Sequence, residues 1–557
     1  MGETVILPPT YYHTYFQEIL EVVASRHAHL LAQAEQLWIA AYHTLPLASQ
    51  CLYLRMMNRK GLYFRVRSLQ YPEIPGLEAA MQHLCEKGFV QAMDSHWQED
   101  IEAVLGLFTK KELLALFQPL MPGGTVLAAL NKPLLLETLQ QVFTSQELMA
   151  ALLSTGPLVA RRFHQETEMI GFLYFGTLAG SITNFVLRDV GHVKLEAADP
   201  GSFLPYFHTR LEAEAALELE KAYIFFRAFR HGQLLEDFFP QLQAWLQQAP
   251  LSEYSHQSLF HQLIAKAGLF LEKNKCYPEA LEVYGYSQGP VCRERSLRLL
   301  KKLGRRAEAQ SLCEQVLLAP ASPDEHLAAQ DLLAQLQAGK SRPVRTVTQR
   351  LRNAEHLVLS STFQGMVELG VLHWHGEQGG NGFYAENYLW RNLLGLVLWE
   401  VIFDSRAGGY HHPLQYGPAD LYSPAFLPKR MARVQQQLEI LQQPEEALAY
   451  IRKIYQSKTG TTNTLVGWHP DTLSQIAALL AQVEGEKLGG VLWQMLANLG
   501  EFGKGFPDLF LWGENGYHFA EVKSPNDTLS AHQVFWLDCF DRLGIAVKVY
   551  HVQWEGA

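Results

Sequence analysis

Residues 11–57 repeat Leu, Ala and aromatic positions at three- and four-residue spacing, which predicts amphipathic helices. The pattern then changes period. In RMMNRKGLYFRVRSLQ, Leu62, Phe64 and Val66 alternate with Tyr63, Arg65 and Arg67, and the spacing predicts a short strand with arginines on one face. Between residues 100 and 145 two helical pieces are expected, KKELLALF capped by Thr109 and KPLLLETLQ capped by Asn131, joined through MPGG. From about 160 to 340 the apolar spacing is helical throughout. There LFLEKNKCYPEALEVY repeats as RLLKKLGRRAEAQSLC 29 residues on, with Glu279-Ala280 over Glu308-Ala309. Near the C-terminus the period returns to two: LFLW, the turn GENG and YHFAEVK predict a hairpin, followed by a helix over VFWLDCFDRLG and a strand at AVKVYHV.

A chain of 557 residues is long enough for three to four cores, and 48% hydrophobic with 18% charged residues is ordinary globular composition. The net charge is −10, so nucleic acid could be bound only through local clusters of basic residues. Such clusters exist. Arg55, Arg59, Lys60, Arg65 and Arg67 occur together without an acidic neighbour. Lys110, Lys111 and Lys132 lie on the helical pair at 109–140, Arg298, Lys301 and Lys302 in the second repeat, and Arg342 and Arg345 in the linker KSRPVRTVTQRLR. Arginine beside Tyr63 offers a phosphate-tracking surface with an aromatic ring to stack on, and the segregation points to a polyanionic partner. The helical pair resembles a SAP module, a small DNA-binding hairpin. Small Ala positions between large apolar ones resemble stacked tetratricopeptide helices.

Other chemistries are excluded by spacing. The six cysteines form no C-x-x-C pair, which argues against a zinc finger or a disulfide framework. His373 and His375, or His411-His412, lack the further ligands that zinc needs. GEQGGNG is not followed by Gly-Lys-Ser/Thr, so no phosphate-binding P-loop is expected, and its glycines would give freedom to the chain entering the next helix. The N-terminus lacks a basic and apolar leader. Leu393–Phe403 is too short to span a bilayer and contains Glu400, so no membrane partner is expected.

The informative stretch is GFPDLFLWGENGYHFAEVKSPNDTLSAHQ, residues 505–533. A turn centred on Glu514-Asn515 sets Asp508 opposite Glu521, and one centred on Asn515-Gly516 sets Asp508 opposite Lys523. In both registers Asp508, Glu521 and Lys523 share a face. Carboxylates about 5 Å apart across a strand pair repel, and a divalent cation removes that penalty. Oxygen ligands suit Mg²⁺ or Mn²⁺, and a lysine beside the metal can orient a nucleophile or stabilise charge on a phosphorane.

Helix, hairpin, helix and strand with P-D…E-x-K is the restriction-endonuclease-like pattern. With Glu386 ahead of an apolar helix, GFPDL, AEVKSPND, SAHQ and AVKVYHV, the chain resembles a bacterial member of the Fanconi-associated nuclease family, whose last domain is of the VRR-NUC type. The resemblance implies an α-helical N-terminal DNA-binding region (1–75), a SAP-like module (76–160), a tetratricopeptide-like region (161–345) and a C-terminal α/β nuclease domain (346–557). It implies a structure-selective 5′-flap endonuclease with 5′-to-3′ exonuclease activity in interstrand crosslink repair, acting on branched DNA in the bacterial cytoplasm at the nucleoid. Glu386, Asp508, Glu521 and the Val522 carbonyl would hold the metal. Asp508, Glu521 and Glu386 would be catalytic together with Lys523, and Gln533 would contact substrate or metal. Glu400 and Asp404 are alternatives to Glu386, although Glu400 would lie about 21 Å along the same helix. Protein partners could dock on the tetratricopeptide-like helices. The ubiquitin-binding zinc finger of eukaryotic members is not expected from this cysteine pattern. Two other readings are a DNA-structure-binding scaffold with a vestigial site and a dimeric junction-resolving or restriction-like nuclease.

Overall fold

The computed structural model describes residues 7–121, 127–191, 193–197, 203–229, 235–251, 258–338 and 343–555. The chain forms two compact units, Met1–Gly191 with Pro205–Ala213, and His192–Leu204 with Glu214–Ala557.

In the first unit the early amphipathic pattern becomes three helices, Tyr11–Arg26, Gln33–His43 and Leu47–Met57, which bury Tyr12, Phe16, Trp38, Tyr42 and Tyr53. A small antiparallel sheet follows, with β1 (Tyr63–Arg65), β2 (Val90–Ala92) and β3 (Leu158–Arg161) in the order β1-β3-β2. The expected strand is shorter than its alternation suggests. β1 stops at Arg65 and Val66–Ser68 coils into a 3₁₀ turn, so Arg65 and Arg67 do not share a strand face. The partner strand decides this: Arg65 pairs with Leu158, the first residue of β3, and the preceding Pro157 has no N–H to extend the ladder.

The two predicted caps are present. Thr109 and Glu112 make a reciprocal capping box on Lys110–Phe117, and the Asn131 side chain accepts from the Leu134 N–H at 3.0 Å at the head of Lys132–Val142. Leu113, Phe117, Leu135, Leu139 and Met149 form the core beneath them. Most of the MPGG connection lies outside the described residues.

In the second unit the helices Ser258–Lys273, Tyr277–Tyr284, Pro290–Lys302 and Arg306–Leu318 follow as two hairpins, closed by Pro323–Gln337. Ala280 and Ala309, the aligned small positions, are both fully buried. Gly268 meets the Tyr284 ring so closely that a Cβ would sit 2.3 Å from it.

The last part is a five-stranded mixed sheet of β4 (Glu355–Leu359), β5 (Asn381–Tyr384), β6 (Leu509–Gly513), β7 (Gly516–Lys523) and β8 (Val547–Trp554), ordered β4-β8-β7-β6-β5. β5, β6 and β7 run antiparallel, while helix Ala531–Leu543 connects β7 to its parallel neighbour β8. Leu509, Leu511, Ala520, Val522 and Val552 form one apolar face, on which Val371 of helix Val367–Glu377 packs. Phe510 and Phe519 face the other way, onto Trp390 of helix Glu386–Val397 and Trp536 and Phe540 of the crossover helix. The strand period of two thus separates two cores.

The glycine-rich segment is not simply a flexible entry to a helix. Its last residues are β5, and Gly382 lies close against β6 there: a Cβ would fall 2.4 Å from Leu511 Cδ2 and 3.0 Å from the Phe510 carbonyl. Among the described residues no helix is long and apolar enough to cross a membrane.

Candidate active site

The hairpin adopts the symmetric register: Trp512 pairs with Tyr517 and Gly513 with Gly516, leaving Glu514-Asn515 as the two-residue turn. Extending the ladder past Leu509↔Ala520 sets Asp508 opposite Glu521. Asp508 is also where a third element joins, because its carbonyl accepts from the Ala385 N–H at 2.8 Å. That bond brings the start of helix Glu386–Val397 to the hairpin across 122 residues of sequence. The Asn387 Oδ1 reinforces it by accepting from the Gly505 and Phe506 N–H groups at 2.6 and 3.3 Å. Gly505, at φ +87°, lets this segment pass the crossover helix, since a Cβ would lie 2.4 Å from His532 Cβ.

Asp508, Glu521 and Lys523 are all buried, Glu521 completely. The Asp508 Oδ2 accepts from the Val522 N–H at 2.8 Å. Lys523 Nζ is 2.7 Å from Glu521 Oε1, and Gln533 Nε2 donates to the same oxygen at 2.6 Å. Glu521 Oε2 is buried with no hydrogen-bond partner. Burial, then the neighbouring Asp508 charge, pushes the Glu521 carboxyl up to about 8 despite Lys523. Burial pushes Asp508 up to about 6 against the pull of the Val522 N–H and Lys523, with Glu368 and Glu386 adding to the rise.

Glu386 is exposed, on the first turn of its helix, and its charge is felt by both buried carboxylates. The alternatives are engaged elsewhere: the helix ends at Val397, Glu400 bears on Tyr450, and Asp404 pairs with Arg406 and Arg433. Glu368 was not read from the sequence. It stands on helix Val367–Glu377, and its charge bears on Asp508 and on Tyr384. No local motif marks it, because only the packing of that helix against the sheet brings it near Asp508.

The donors fit a hard divalent cation. All are oxygens, one is bare, and two buried carboxylates repel without a counter-charge beyond Lys523. Among the described residues no three His, Cys, Asp or Glu side chains form a ready-made metal cluster. The set is instead two buried carboxylates with Glu386 at the rim.

The basic residues divide by environment. Arg55 is paired with Glu73 and lies 4.0 Å from the centre of the Tyr12 ring. Arg65 pairs with Glu112 at 2.8 Å and covers the Phe108 ring. Arg298 pairs with Glu294, and Lys302 sits 3.5 Å over Tyr277. Lys110 and Lys132 donate to the Ala128 and Gly106 carbonyls at 2.8 and 2.9 Å, and Lys301 to Gln335. Arg59, Lys60, Arg67, Lys111 and Arg345 are exposed. Arg342 lies outside the described residues.

Sheet, crossover helix and paired acids define a nuclease of the P-D…E-x-K type, and the comparisons agree. Residues 442–554 match the family model of the VRR-NUC domain, and residues 10–91 that of the FAN1 HTH domain. The chain is 30% identical to a Fanconi-associated nuclease 1 homolog of Pseudomonas aeruginosa, across 98% of this chain and 96% of that protein. It is 23% identical to a homolog of Oryza sativa subsp. japonica, across 99% of this chain and 64% of that one. The crystal structure of paFAN1 bound to 5′-flap DNA with a gap superposes with a TM-score of 0.81 at 30% identity, covering 99% of this chain and 100% of that one. The chain belongs to the Fanconi-associated nuclease family, and it is a structure-selective DNA nuclease. Glu386 lies outside the matched 442–554 segment.

Proposed function

We propose that this nuclease cuts 5′ flaps on branched DNA, as an endonuclease with 5′-to-3′ exonuclease activity, using Mg²⁺ or Mn²⁺ in the repair of interstrand crosslinks in the bacterial cytoplasm. The observation that carries the reading is the buried Asp508–Glu521 pair, with one bare carboxylate oxygen and Lys523 alongside. The 5′-flap DNA bound by paFAN1 supports the choice of substrate. Asp508, Glu521, Glu386 and the Val522 carbonyl would hold the cation, which when bound supplies a Lewis acid for the phosphate and lowers the pKa of a water. Lys523, held by Glu521, orients the attacking water and offsets charge developing on the phosphate. The sheet and its two helices keep these groups fixed while the DNA is positioned by basic residues of the 1–75 and 76–160 regions. The 161–345 helices provide a further surface for DNA or protein partners.

The test is cleavage of an end-labelled 5′-flap duplex beside a 3′ flap and a Holliday junction, with Mn²⁺, with EDTA and with Asp508→Ala. Preferential cutting of the 5′ flap by the wild type, lost in EDTA and in the variant, is expected. Tight flap binding with no cleavage of any substrate would overturn the catalytic reading and leave a scaffold.

A further inference from the structure

Gln533 stands beside Glu521, and a glutamine amide can present either its oxygen or its nitrogen to a neighbour. Here the backbone decides which. Ser530 caps helix Ala531–Leu543, its Oγ accepting from the Gln533 N–H at 3.2 Å, and Gln533 Oε1 returns by accepting from the Ser530 N–H at 2.9 Å. The amide oxygen is thereby occupied. The NH₂ is left to donate to Glu521 Oε1, which also receives Lys523. One carboxylate oxygen is saturated by two donors, and Oε2 is left without any.

We propose that Gln533 is a positioning residue and not a metal ligand: the Ser530 backbone N–H fixes its amide so that Glu521 is held by Oε1 and turns Oε2 to the cation. The inference rests on the metal-dependent reading above and adds the direction of the Gln533 side chain and the group that sets it. A capping box that would otherwise only stabilise a helix start also orients the carboxylate.

Ser530 has φ −78°, within the range of proline, so Ser530→Pro can delete the N–H while Ser530→Ala keeps it, and both lose the hydroxyl. Mn²⁺ binding is measured by calorimetry without DNA, flap affinity in EDTA, and kcat separately. Ser530→Ala is expected to keep Mn²⁺ affinity and kcat near wild type. Ser530→Pro and Gln533→Leu each lose roughly 10- to 100-fold in both, with flap affinity in EDTA unchanged. In the Gln533→Leu background Ser530→Pro causes no further loss of Mn²⁺ affinity, although the missing cap still lowers Tm. Equal Mn²⁺ affinity in Ser530→Ala and Ser530→Pro, or losses that add in the double variant, would overturn the proposal. Gln533→Leu with wild-type Mn²⁺ affinity and kcat would overturn it even where the proline variant does not fold. A wild type that neither binds Mn²⁺ nor cleaves would instead sink the functional reading itself.

Discussion

Replacing Glu521 by Gln should stabilise the metal-free protein at alkaline pH. The Glu521 carboxyl titrates near 8 in the folded chain against an ordinary value of 4.5, raised first by burial and then by Asp508. The folded state therefore holds this proton more tightly than the unfolded state does. Its contribution is fully present below about pH 4.5 and is lost as pH rises through about 8. At about 1.4 kcal/mol per pH unit, the displacement corresponds to an upper limit on the order of 5 kcal/mol. The amide that replaces the carboxyl keeps an oxygen for Gln533 and Lys523 and carries no charge against Asp508, so most of this penalty disappears. For a unit of this size that is a rise in Tm of several degrees, at most roughly 7 °C. Melting curves in EDTA at pH 5 and pH 8.5 give the answer. Little difference at pH 5, a clear gain for Glu521→Gln at pH 8.5, and closure of the gap when Mn²⁺ stabilises the wild type are expected. Parallel pH profiles for the two proteins in EDTA would refute the claim that this carboxylate is held under electrostatic strain.

Lys523→Met should lower kcat roughly a hundred- to ten-thousand-fold while flap affinity measured in EDTA stays unchanged, since the side chain faces Glu521 inside the site; weakened binding with normal turnover would place Lys523 in DNA recognition. Arg65→Ala removes an ion pair and a ring contact, so it should cost about 1 to 2 kcal/mol of stability by denaturant titration. Exposed Lys60→Ala should leave stability alone and reduce by about 1 the slope of log affinity against log salt. Gly382→Ala drives a Cβ to 2.4 Å from Leu511 Cδ2, and thermal melts should report a loss of about 1 to 3 kcal/mol; an unchanged melt would mean that the Leu511 side chain moves aside at little cost.

Local chemistry was enough to locate much of this molecule. The turn residues of GENG and the period-two strands around it define the hairpin, and either register sets Asp508, Glu521 and Lys523 on one face, because alternation along a strand is a local property. The caps at Thr109 and Asn131 were legible for the same reason: a side chain bonds a backbone group three residues away. The alternation at 62–67 misled, because where a strand stops depends on its partner, and β3 begins at Leu158. β5 was hidden because Gly382 makes sense only against Leu511, far along the chain.

What the sequence by itself determined is the kind of chemistry: which residues form the β6–β7 hairpin, that two acids and a lysine share a face, and that a glutamine opens the next helix. What only the tertiary structure decided is how those groups act on one another. It chose Glu521 as the partner of Asp508 and placed Glu386 and Glu368 near them. It tied Arg55 and Arg65 to carboxylates, and it left Glu521 Oε2 buried without a hydrogen-bond partner. Burial and long-range contacts set those outcomes, because desolvation and Coulomb forces depend on distance through space and not along the chain.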